Sequence, residues 1–165
     1  DTCNSVALRY FNPIGSHSSA LIGDCSADRP SNLVPIITEV AIGKREKITV
    51  FGDNYNTPDG TCIRDYIHVV DLAKSHVKAM DFLIKNPGIH AFNVGTGIGV
   101  SVLDAIKAFE KTNNLNISYS IGPRRNGDIE KIYANGSLVK AKLGWEAEET
   151  LDQAMKSAWE WEKQK

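Results

Sequence analysis

Two arginine-bearing segments could do chemistry on an anion: Thr61-Cys62-Ile63-Arg64-Asp65-Tyr66, and Arg124-Arg125 ahead of Gly127-Asp128. A guanidinium presents forked N–H donors that match phosphate oxygens, so two of them arriving from separate loops would clamp a diphosphate. The same residues also read as surface ion pairs, for instance Arg64 with a neighbouring aspartate. Gly95-x-Gly97-x-Gly99 is a second candidate, because a glycine-rich strand-to-helix turn can aim backbone N–H groups at a phosphate. It misses the dinucleotide fingerprint: the third glycine belongs at position 100 or 102, and both are valine. Tight packing of strand on helix is the alternative use of these glycines.

Other chemistries find little support. His17, His68, His76 and His90 lack metal-ligand spacing, and His76 reads as part of a half-buried helix face. There is no G-x-S-x-G elbow for a serine hydrolase. Cys3, Cys25 and Cys62 form an odd, widely spaced set that suggests reduced thiols rather than a disulfide framework or a zinc site.

The elements that must position these residues alternate between strand and helix. A strand over 5–11 stops at turn chemistry, Asn12-Pro13-Ile14-Gly15, and a long polar stretch, 16–31, reads as a loop ordered by ligand. A short helix through Pro35 and Ala41 ends at Gly43, followed by strands over 48–51 and 65–69. Asp71 is expected to cap a helix in which Leu72, Ala73, His76, Val77, Met80, Leu83 and Ile84 recur at helical spacing. A strand over 91–94, the glycine turn, a helix capped by Ser101, a strand over 117–121 and a short helix over 137–143 follow. Thr150 and Gln153 form a capping box for the last helix. This order indicates an α/β fold.

With 165 residues, 42% of them hydrophobic, the chain can bury a core of its own. A net charge of -1 argues against a dedicated nucleic-acid or anionic-membrane binder, since such affinity needs uncompensated Lys and Arg. No apolar run suggests a membrane span and no secretory signal opens the sequence, so a cytoplasmic protein is expected. The chain starts at Asp1 and enters a strand almost at once, which suggests that an amino-terminal portion precedes it.

Arg9-Tyr10-Phe11-Asn12-Pro13-Ile14-Gly15, Ser31-Asn32-Leu33-Val34-Pro35, 59–69, Asn93-Val94-Gly95-Thr96-Gly97 and 124–128 together resemble the carboxy-terminal half of the UDP-glucose 4-epimerases, within the extended short-chain dehydrogenase/reductase family. The resemblance spans essentially the whole chain. It implies a Rossmann-type NAD(P)-binding α/β protein with a smaller substrate domain, to which 1–14 and 66–96 contribute the former and 15–65 and 97–165 the latter. It implies UDP-sugar binding: Asn12 near sugar and diphosphate, Asn32 and Leu33 on the phosphates, Thr49 and Phe51 at the uracil, Arg64 and Arg125 as the clamp, Tyr66 and Asp128 on the ribose side. Tyr10 and Pro13 would lie near the nicotinamide of NAD. Members of this family interconvert UDP-glucose and UDP-galactose in galactose metabolism by oxidation and re-reduction at C4, and a homodimer is implied.

Some features depart from that pattern. The Gly-rich NAD loop and the Tyr-x-x-x-Lys catalytic pair have no counterpart in these 165 residues, so the chain alone is expected to be inactive and to expose apolar surface where a further domain would pack. Ser31 stands where Asn is usual and Asn126 where Glu is usual. Ile132 occupies a position whose bulk is expected to limit the group tolerated at C2 of the sugar. Another nucleotide-sugar epimerase, dehydratase or decarboxylase, or a non-catalytic UDP-sugar-binding module, would use the same anchors.

Overall fold

A computed structural model describes residues 3–25 and 30–165. Residues 1 and 2, and 26–29 of the polar stretch expected to be a loop, lie outside them. Parallel strands β1 (Ser5–Tyr10) and β6 (Ile89–Val94) pair with Ser5 opposite Ile89 and Tyr10 opposite Val94. The chain does not turn at Asn12. It stays extended as β2 (Asn12–Ile14), which pairs in parallel with β5 (Tyr66–His68). Phe11 marks the change of partner: its N–H donates to Val94 O, while that of Asn12 donates to Asp65 O. Pro13 has no N–H to give a ladder, which made a turn the natural reading of this dipeptide.

β5 runs directly into α2 (Val69–Lys85), whose cap is His68 rather than Asp71. Nδ1 of His68 accepts from the Val70 N–H at 3.1 Å. The Asp71 side chain is buried and turns outward from the helix, accepting the N–H groups of Glu148 and Glu149 at 2.9 and 2.8 Å. The apolar repeat of α2 divides between two faces. Leu72, Ala79 and Phe82 pack inward, whereas Val77, Met80 and Ile84 form an uncovered stripe, Ile84 being 78% exposed. His76 lies on the exposed side, contrary to the half-buried position expected of it.

β3 (Ile48–Phe51) pairs in parallel with β8 (Tyr119–Gly122), and β4 (Ile63–Arg64) antiparallel with β7 (Val100–Ser101). α1 (Leu33–Ala41), α3 (Val102–Asn113) and α5 (Leu151–Gln164) enclose the larger core, in which Ile37, Ile48, Ile106, Phe109 and Met155 are almost fully buried. Ser101 caps α3, and Thr150 with Gln153 forms the capping box of α5. A second core joins Ile67, Ala79, Phe92 and Val94 to Val139 and Leu143 of α4 (Ser137–Leu143) and to Trp145. No described helix is long and apolar enough to cross a membrane.

Candidate functional site

Strand β2, Arg64 of β4, the first residue of β5 (Tyr66), the start of α1, strand β3 and the loop after β8 converge on a cleft of about 320 Å³. Of the residues singled out from the sequence, Asn12, Pro13, Asn32, Leu33, Thr49, Phe51, Arg64, Tyr66, Arg125 and Asp128 line it; Tyr10 and Ile132 do not. Tyr10 ends β1 with its ring half exposed, and Ile132 sits beside β4, its N–H donating to Ile63 O.

Local structure explains each placement. The parallel register of β2 and β5 sets Asn12 opposite Tyr66. Burial pushes the Tyr66 phenol up from its ordinary pKa, only partly countered by Arg64, so the hydroxyl keeps its proton. Asn32 is the N-cap residue of α1 but makes no side-chain capping bond, and the helix terminus it opens is the end that favours an anion. Arg64 is held rigidly, its Nη1 donating to Ile63 O at 2.9 Å and to Ile129 O at 2.6 Å. The adjacent arginines part company. Arg124 turns away, bonding Asn54 and stacking 3.9 Å over the Tyr55 ring, while Arg125 lies 4.7 Å over Phe51 and faces the cleft. Arg64 and Arg125 then meet on one carboxylate, Asp128.

Asp65, to which the sequence alone assigned no role, does not itself line the cleft; it fastens the segment that carries Arg64 and Tyr66, the floor of the site. It is fully buried, and accepts from Thr96 N, Thr96 Oγ1, Gly97 N and Ala134 N at 2.7–3.0 Å. The amides of the glycine turn are thus spent on an internal carboxylate, which decides between the two uses of those glycines. A Cβ on Gly95 would stand 2.5 Å from Asp65 Oδ2 and 2.7 Å from Ala134 Cβ, so the turn needs glycine in order to pack. The signal was present in the sequence: an aspartate between Ile63 and Ile67, in a segment that reads as strand, must be saturated with donors if buried. Cys62, also unassigned, is buried against the cleft.

Asp59 supports β4 from behind. Burial would raise its pKa, but hydrogen bonds from the Ser101 hydroxyl and from the N–H and hydroxyl of Thr61 outweigh this and hold it below the ordinary carboxylate value. A larger cavity of about 580 Å³ lies behind Pro13 and Ile14, walled mainly by apolar residues. Two of its carboxylates are already paired, Glu39 with Arg45 and Glu162 with Lys44. Among the described residues no group of His, Cys, Asp and Glu could hold a metal ion.

The chain is similar to known proteins in sequence and in fold. The chain is 52% identical over 156 residues to the UDP-glucose 4-epimerase of Haemophilus influenzae, covering 94% of this chain and 46% of that protein. It is 48% identical over 163 residues to that of Homo sapiens, covering 99% and 47%. The chain therefore spans about half the length of the curated relatives it matches. Among solved structures, UDP-glucose-4-epimerase from Stenotrophomonas maltophila with bound NAD and formylated UDP-arabinopyranose superposes with a TM-score of 0.97 at 45% identity, covering 99% of this chain and 49% of that one. The Bifidobacterium longum UDP-glucose 4-epimerase in complex with NAD+ and UDP gives 0.92 at 49%, covering 96% and 47%. The α/β fold is accordingly that of the extended short-chain dehydrogenases/reductases. Since the family model described as GDP-mannose 4,6 dehydratase matches residues 2–158, the chain belongs to that family.

Proposed function

We propose that this chain forms the UDP-sugar-binding part of a UDP-glucose 4-epimerase. The observation that carries the reading is the convergence of Arg64 and Arg125, from different strands and loops, at the rim of a cleft that opens on the start of α1. Two guanidiniums and a helix N-terminus around one volume suit a diphosphate. Asn12 and Asn32 then flank the sugar and phosphates, Thr49 and Phe51 line the uracil, and the protonated Tyr66 with Asp128 meets the ribose side. Identity near 50% to named epimerases along nearly the whole chain supports the choice of reaction.

Tyr10 ends β1 and Pro13 is the middle residue of β2, and the half-exposed ring and the exposed pyrrolidine can pack on a flat heterocycle; they fit the edge of a nicotinamide site. NAD, when bound, supplies the hydride acceptor and donor for C4 of the sugar. This chain's contribution is to anchor the nucleotide, so that remote binding energy holds the substrate while its ring is free to turn. On the resemblance, a Gly-rich loop and a Tyr-x-x-x-Lys pair, which have no counterpart in these 165 residues, serve the cofactor and the proton transfer in the complete enzyme, and the chain alone is expected to perform no epimerisation. On the resemblance, the complete enzyme works as a cytoplasmic homodimer. Ile132 lies outside the cleft that holds the nucleotide; by the same resemblance it bounds the sugar pocket of the complete enzyme and narrows it against N-acetyl groups, and full-length enzyme that turns over UDP-N-acetylglucosamine as fast as UDP-glucose would contradict that assignment.

Calorimetry with the full-length protein tests the clamp. Arg64→Ala removes a charge-assisted donor to phosphate and should weaken UDP binding by about 1.5–3 kcal/mol. Unchanged affinity would remove the role given to Arg64. Titration with GDP in place of UDP separates a uridine site from that of another nucleotide-sugar enzyme.

A further inference from the structure

Asp128 stands between the two guanidiniums that the proposed function puts on a diphosphate, and the role inferred for it rests on that reading. Arg125 Nε lies 3.0 Å from Asp128 Oδ2 and Arg125 Nη2 lies 3.2 Å from Oδ1. Arg64 Nη2, on β4, approaches the same Oδ1 to 3.7 Å, its Nη1 being bonded to Ile129 O next in the chain. The loop is shaped for this contact. Gly127 adopts φ +84, a conformation that favours glycine, and the Asp128 N–H donates to Arg125 O, which folds the carboxylate back onto its own arginine. Neither arginine has much freedom to swing away, since Arg64 is tied to two carbonyls and Arg125 lies on the Phe51 ring. The Asp128 and Arg64 side chains are only 16% and 17% exposed, whereas Arg125 is 55% exposed.

We infer that Asp128 is a built-in counter-anion which any diphosphate must displace from Arg64 and Arg125, and which the vicinal hydroxyls of a ribose then re-satisfy, so that it selects nucleoside diphosphates over bare pyrophosphate. The physical reason is the fate of the carboxylate. Free pyrophosphate takes the guanidinium forks and leaves a mostly buried carboxylate without its partners, which is costly. A nucleotide brings two O–H donors to that carboxylate while its phosphates take the forks. The empty site is meanwhile held in a geometry close to the bound one, because the carboxylate keeps both guanidiniums aimed at a common point.

The test uses full-length protein, wild type and Asp128→Asn, titrated calorimetrically with UDP, 2′,3′-dideoxy-UDP and inorganic pyrophosphate. In wild type, UDP should bind about tenfold or more tightly than its dideoxy analogue. In the variant, pyrophosphate should bind about three- to tenfold more tightly than it does to wild type, and the preference for UDP over the dideoxy analogue should shrink to about twofold or less. Pyrophosphate affinity that is unchanged or weaker in the variant, while wild type binds UDP, would overturn the inference and leave the nucleotide site standing. Wild type that fails to bind UDP would remove the site and the inference together. Should the variant not fold, the wild-type titrations decide alone: equal affinity for UDP and its dideoxy analogue overturns the inference.

Discussion

Asp65, which stands between the cleft residues Arg64 and Tyr66 in the sequence, and Asp128, which lines the cleft, belong to different kinds of structure. Asp65 is enclosed, and its partners are backbone N–H groups and the Thr96 hydroxyl, which have nowhere else to go. Asp128 sits at the rim, and its partners are guanidiniums that a ligand can take over. A carboxylate saturated by main-chain donors is part of the fold, because removing it strands those donors in the interior; one held by side chains at a cleft mouth can be exchanged without disturbing the core. The site thus joins a floor fixed by main-chain donors to a lining held by side chains.

Asp65→Ala should break the floor and show the largest effect. It leaves the amides of Thr96, Gly97 and Ala134 unpaired and should lower stability by about 3–5 kcal/mol in urea unfolding of the full-length protein. Gly95→Ala pushes a methyl group against the same carboxylate and should cost about 1–3 kcal/mol in the same measurement. His68 offers a pH handle on the floor. Burial is the main cause that holds its pKa below the ordinary 6.5, opposed by Glu149 and Asp71 and aided by Lys74. The folded protein therefore takes up the proton less readily than the unfolded chain, so stability is fully present above about pH 6.5 and declines as pH falls below it. His68→Asn, which keeps a cap acceptor, should flatten that slope in pH-dependent melts. At the rim, Asp128→Ala should cost about 1–2 kcal/mol, less than Asp65→Ala, because Arg125 stays half exposed and Arg64 keeps two carbonyl partners, while ligand affinity is altered. A loss at Asp128 as large as that at Asp65 would erase the distinction between the two regions.

Local chemistry was easy to read in the sequence. The capping of α3 by Ser101, the Thr150–Gln153 box and the end of α1 near Gly43 follow from residues a few positions apart. Long-range relations were harder. Whether Asn12-Pro13-Ile14 turns or pairs depends on β5, more than fifty residues later in the chain, and Asp71 was free to leave the cap because Glu148 and Glu149 present their amides to it. Helical spacing alone could not say which face of α2 would be covered, because both carry apolar residues. In the candidate site, Arg64 and Arg125 were legible as residue types, but their meeting on Asp128, and the departure of Arg124 to Tyr55, are products of tertiary structure.

A crystal structure of the full-length protein with UDP tests the diphosphate clamp most directly. The expected density places the two phosphates between the guanidiniums of Arg64 and Arg125, with Asp128 moved onto the ribose hydroxyls and Asp65 unchanged. UDP bound elsewhere, with the Arg64–Asp128–Arg125 cluster intact, would contradict it.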